Sequence, residues 1–176
     1  MYPEPGQVLH FSEDSSIEHF VPRTIEGRPG PYVWAVDAHN APSYWFPRDC
    51  PRAMAWTTPA TASHDRARIL GGRDRVHAIE DSWLTALRSV RLFAYRLPAP
   101  HFRPIGDPEP FALVSATAVA PLGPPEPVGD LLRLHERAGI QLRPLPSLWP
   151  FWDAVTASSL GFSGIRLRHA RPRGTE

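Results

Sequence analysis

Lysine is absent from this chain, so all 19 of its strongly basic residues are arginine. Schiff-base catalysis through a lysine and a Walker-type phosphate loop are thereby excluded. There is one cysteine, Cys50, which cannot form an internal disulfide and fits a reducing compartment. No apolar run approaches the roughly 20 residues that a membrane-spanning helix needs. The start, "MYPEPGQVLHF", lacks the basic and apolar segments of a secretion signal. The expectation is a soluble, cytoplasmic protein with no membrane partner. A net charge of +1 leaves no electrostatic footprint for nucleic acid. Neither a GxGxxG turn nor a GxSxG elbow occurs. The eight histidines are scattered without HExxH spacing, so no metal site is expected from local motifs.

What is present is an ordinary globular composition, 42% hydrophobic and 10% aromatic over 176 residues. That length suits a single domain, residues 1–176, with a core over about 7–170 and frayed termini. Twenty-two prolines spread along the chain favour short elements joined by stiff loops. "TIEGRPGP" (24–31) and "PLGPPEP" (121–127) read as such loops. Strands are expected at 8–11, 32–36, 53–57, 76–79, 91–97, 111–114, 140–145 and 162–168. Asp81 and Asp130 are placed to cap helices, the second with Leu131, Leu134 and Ala138 inward and Gly139 at its end. A third helix is expected after Pro150, with Phe151, Ala154, Val155 and Ser158 on one side. The fold class is α+β: short mixed or antiparallel strands in two small sheets with a few short helices.

The stretch "YWFPRDCPR" (44–52) concentrates unusual chemistry. Arg48 and Arg52 flank Cys50 and could lower its pKa, which would make it a nucleophile. Asp49 opposes that shift, and Pro47 and Pro51 stiffen the segment, so a rigid corner is the preferred reading. On such a corner Arg48 and Arg52 would form a clamp for phosphate or carboxylate, unless Asp49 pairs with one of them.

Four segments, "LHFSEDSSIEHFVPR", "YVWAVDAHNAPSYWFPRDCPR", "FALVSATAVAPL" and "PSLWPFWDAVTASSLGFSGIRLRHA", resemble in this order a small uncharacterised bacterial family. Its most specific marks here are PRDCPR and PSLWP, and it implies no activity. A looser likeness reaches further. The strand with His-x-Ser, the following Phe/Pro stretch and the V-W-A strand resemble the ADP-ribosyltransferase-like fold. So does the late strand that ends in Ser shortly before V-x-P.

That resemblance implies NAD or a related nucleotide as ligand, with transfer of ADP-ribose to a protein or small-molecule acceptor. It makes His10 and Ser12 the ribose contacts, with Tyr32, Trp34 and Tyr44 as stacking partners. Ser115 and Thr117 fall where a late-strand glutamate would stabilise the oxocarbenium-like transition state. Neither carries the charge, which leaves Asp49 or Glu109 as substitute acids. The alternatives are a non-catalytic binding or regulatory module of the same fold, and a small-molecule enzyme using Cys50 or a histidine.

Overall fold

The computed structural model of the chain describes residues 1–24, 30–106 and 111–174. Its strands are β1 (Gln7–Ser12), β2 (Arg23–Thr24), β3 (Pro31–Ala35), β4 (Arg52–Trp56), β5 (Arg75–Glu80) and β6 (Phe93–Pro98). They continue with β7 (Arg103–Ile105), β8 (Ala112–Ser115), β9 (Glu126–Pro127), β10 (Gln141–Leu145) and β11 (Gly161–Ile165). The helices are α1 (Ser63–Leu70), α2 (Leu84–Ser89), α3 (Leu131–Arg137) and α4 (Trp149–Thr156). The α+β class is as expected, with three small sheets rather than two. Most of the loop at 24–31 lies outside the described residues.

By contact density the chain divides into two compact units, and each takes two separate stretches of sequence. Unit 1 comprises 1–45 and 91–129. Its sheets are ordered β1-β6-β9 and β2-β3-β8-β7, with antiparallel pairing throughout. Alternation along the strands sorts its side chains. Val8, Val33, Ala35, Tyr95 and Leu97 join Phe20 and Val119 in one buried cluster. Leu9, on the opposite face of β1, packs with Val36 and Ala41 in another.

Unit 2 comprises 46–90 and 130–176 and holds one sheet in the order β10-β5-β4-β11. β10 runs parallel to β5, and the other pairs are antiparallel. On one face Ala53, Ala55, Val76 and Ala78 are small residues, so α1 and α4 pack closely with Leu70, Leu148, Phe151 and Val155. Burying each of the large side chains contributes about 1.5–3 kcal/mol. Gly164 of β11 belongs to this face as well. A Cβ there would lie 2.8 Å from the Trp152 ring and 2.6 Å from Leu167. The other face of this sheet is chemically different, and it carries Arg52, Arg75 and His77.

Sequence patterns placed several boundaries wrongly, for local reasons. Asp81 opens a 3₁₀ turn without capping it, and its carboxylate meets the Arg171 guanidinium at 3.2 Å. Asp130 does cap α3, accepting from the Arg133 amide at 3.1 Å, and Gly139 follows with φ 68°. α4 begins at Trp149, one residue before Pro150, which sits in its first turn. β11 stops at Ile165 because Arg166 has φ 58°, so Arg166 and Arg168 lie beyond the strand.

Candidate functional site

The residues nominated from sequence fall into both units. His10, Ser12, Tyr32, Trp34, Tyr44, Ser115 and Thr117 belong to unit 1, and Arg48, Asp49 and Arg52 to unit 2. Glu109 lies outside the described residues.

His10 sits mid-strand in β1, half-buried, opposite Tyr95 of β6. Its Nδ1 donates to the Trp34 carbonyl at 2.7 Å, so Nδ1 carries a proton and the ring orientation is fixed. The Phe20 ring lies 4.6 Å from the imidazole, and Tyr95 supports Phe20 edge-on at 5.1 Å. Two residues along on the same face, Ser12 accepts from the Asp14 amide at 3.1 Å and shapes the turn that follows. The Tyr95 hydroxyl donates to the Asp14 carbonyl at 2.7 Å and so pins that turn to β6. His10 and Ser12 are therefore held from both ends.

The proposed stacking aromatics do not gather around this histidine. Tyr32 and Trp34 point to the face of β3 opposite Val33 and Ala35, which share the cluster of Phe20. There they form their own group, 6.2 Å apart, with Phe111 stacked on Trp34 at 6.4 Å. Arg103 donates to the Tyr32 hydroxyl at 3.1 Å. Tyr44 packs with Leu9 and Val36, on the other side of β1 from His10. The aromatic that does meet His10 is Phe20, which sequence reasoning missed; its signal was the Phe in "EHFVP", just past the His-x-Ser strand.

Ser115 ends β8 and is buried. Its hydroxyl donates to the Thr117 carbonyl at 3.0 Å, lies 3.2 Å from Thr117 Oγ1 and accepts from the Thr117 amide at 3.2 Å. Both hydroxyls thus serve a local turn, which stabilises the strand end and supplies no negative charge.

The corner in unit 2 departs from the clamp expected of it. Arg48 is exposed, but Arg52 begins β4 and is 3% accessible, so the two do not face a common anion. The Arg52 guanidinium lies over the Phe46 ring at 5.0 Å and donates to the Cys50 carbonyl at 2.9 Å. Asp49 approaches neither neighbour; Arg166 reaches it at 3.7 Å and donates to the Arg48 carbonyl at 3.3 Å. Cys50 is fully buried. Burial pushes its thiol up to about 12, with nearby Glu80 adding to the shift and Arg52 only partly offsetting it. Full burial and a raised thiol both disfavour a thiolate at Cys50 near neutral pH. The Cys50 amide donates to the Pro47 carbonyl at 3.1 Å, which closes PRDCPR into a turn.

Sequence reasoning also missed a buried histidine pair on the polar face of the unit 2 sheet. His77 of β5 and His135 of α3 lie 58 residues apart in sequence and meet with Nδ1 and Nε2 3.1 Å apart. The Phe46 ring rests against both, at 5.7 and 5.0 Å. Arg75 donates from Nε to His77 Nε2 at 2.9 Å. His135 Nδ1 donates to the Leu131 carbonyl at 2.7 Å. Burial holds His77 well below the usual histidine range, and the positive charges of Arg75 and Arg52 add to this. His135 is lowered to about 4, again chiefly by burial. Among the described residues, no group of three or more His, Cys, Asp or Glu side chains is arranged to hold a metal ion. Nor is any helix among them long and apolar enough to cross a membrane.

The fold and these sites define an α+β protein with a tethered strand histidine in one unit and a sealed histidine pair in the other. The sequence profile of DUF6886, a family of unknown function, matches residues 9–170, and the chain belongs to that family. Neither the comparison with curated proteins nor that with solved structures returned a match.

Proposed function

We propose that this chain binds NAD or a related nucleotide through unit 1, in the manner of ADP-ribosyltransferase-like proteins, and that its role is binding rather than transfer. The observation that supports it is the setting of His10. Its Nδ1 is tied to the Trp34 carbonyl, its ring is backed by Phe20, and Ser12 shares its face of β1. A ribose placed against this face of β1 would meet an imidazole already oriented, so little ordering cost opposes binding. Buried Phe20 backs the imidazole from the core, so the ring keeps its orientation when a sugar approaches.

Binding is favoured over transfer because of the end of β8. Cleavage of the nicotinamide–ribose bond develops positive charge, which an aligned carboxylate stabilises. Ser115 and Thr117 offer hydroxyls already engaged with each other and with their own backbone.

The test is thermal unfolding of the purified chain with NAD or ADP-ribose, alongside an assay for released nicotinamide. A ligand at 100 times its Kd stabilises by about 2.7 kcal/mol, a readily measured rise in Tm. The expected result is a rise for the wild type, none for His10→Ala, and no nicotinamide release from either. Equal rises in both proteins, or none in either, would refute binding through His10. Release that disappears in His10→Ala would keep the site and overturn the assignment to binding alone.

A further inference from the structure

The hydrogen bonds around His77 and His135 admit only one arrangement of protons. The Nε of Arg75 can only donate, so His77 Nε2 accepts and His77 carries its proton on Nδ1. The Leu131 carbonyl can only accept, so His135 carries its proton on Nδ1 and presents a lone pair on Nε2. The bond between the rings then runs from His77 Nδ1–H to His135 Nε2, consistent from both ends. Both rings are neutral, and each has its lone pair engaged.

An added proton has nowhere to go without breaking a link. On His77 it would face the Arg75 donor, and on His135 it would face the His77 donor. The positive charges that face both rings are buried Arg52 from β4 and half-buried Arg75 from β5. Cys50, in the corner before β4, is neutral. α3 borders an open groove of about 800 Å³, lined by its cap Asp130 and by Arg133, His135 and Glu136. Arg73, from the turn after α1, and Arg88 of α2 line the same groove. Asp130 is engaged in capping α3, which leaves Glu136 as the groove carboxylate set against three arginines.

We propose that the His77–His135 hydrogen bond is an acid-released latch that fastens α3 to the sheet of unit 2. Above about pH 6.5 the latch is closed. As the pH falls below that value, a detached α3 takes up the proton that the closed form refuses, so opening becomes progressively easier. The sign follows from the lowered titration of both histidines: stability is complete above the unfolded value of 6.5 and falls as the pH drops toward the folded value of about 4 for His135. Freeing α3 removes one wall of the groove, so the latch couples acidity to the shape of that surface.

The experiment is hydrogen exchange of the α3 amides in the full chain between pH 7.5 and 4.5, corrected for intrinsic exchange rates. Protection should fall by about tenfold per pH unit below about pH 6 for one linked proton, and more steeply if both rings engage. In the double variant His77→Leu/His135→Leu it should not change with pH. The same decline in that variant would overturn the proposal. Should the double variant fail to fold, nitrogen NMR of the wild-type imidazoles decides. Both rings protonated on Nδ1 at pH 7.5, with their titration coincident with loss of α3 protection, supports the latch. A His77 protonated on Nε2, or titration of either ring near 6.5 with α3 still protected, refutes it.

Discussion

His10 in unit 1 and His135 in unit 2 both donate Nδ1–H to a backbone carbonyl at 2.7 Å, yet the rest of their surroundings differ. His10 is half-buried on a strand face beside Phe20. His135 is 1% accessible, and its second nitrogen takes the proton of another buried histidine. The carbonyl tether fixes orientation in both cases. What separates the two histidines is burial and the packing around the ring: half-buried against Phe20 in one, fully buried in a directed chain of hydrogen bonds in the other. On the proposals above, the first setting serves recognition and the second a pH-dependent fastening.

Substitutions would sharpen this contrast in a definite order. The largest loss is expected for His77→Ala, which leaves a cavity and removes one hydrogen-bond partner from each of Arg75 and His135. It should cost about 3 kcal/mol or more in urea unfolding at pH 7.5. A cost below about 1 kcal/mol would mean that the chain of bonds contributes little. Next comes Asp130→Ala, which removes the side-chain cap of α3 and should cost about 1 kcal/mol in the same assay. Because it weakens the helix that the latch holds, it should also move the loss of α3 protection to higher pH. The smallest effect on stability is expected for His10→Ala, about 0.5–1 kcal/mol, since a half-buried residue gives up the bond to the Trp34 carbonyl and its packing on Phe20. A loss as large as that of His77→Ala would make His10 a structural residue and erase the distinction.

The two settings were not equally visible in the sequence. His10 stood out because a His-x-Ser pair lay in an alternating run that became β1. The capped and glycine-terminated α3 was also legible, since Asp130 and Gly139 are strong local signals. The burial of His135 was not. Apolar spacing drew attention to Leu131, Leu134 and Ala138, whereas the buried positions are Leu131 and His135, four residues apart on one face. A polar residue on a buried face is recognisable only once its partner is known, and His77 lies in a different stretch of the chain. α1 escaped notice because "SHDRARIL" carries its buried apolar residues only at the end. β7 and β9 contain proline and span three and two residues, so strand patterns say little about them. Arg52 was misplaced because its flanking prolines suggested a loop. Its neighbours in β4, "AMA", are apolar and fully buried, and they draw it into the sheet.

The most direct measurement is calorimetric titration of NAD into the wild type and into His10→Ala at pH 7.5, with ADP-ribose as a second ligand. The account predicts saturable heat with one site per chain for the wild type and none for the variant, with unfolding of the two proteins nearly unchanged. Equal heats from both proteins, or no heat from the wild type with either nucleotide, would contradict it.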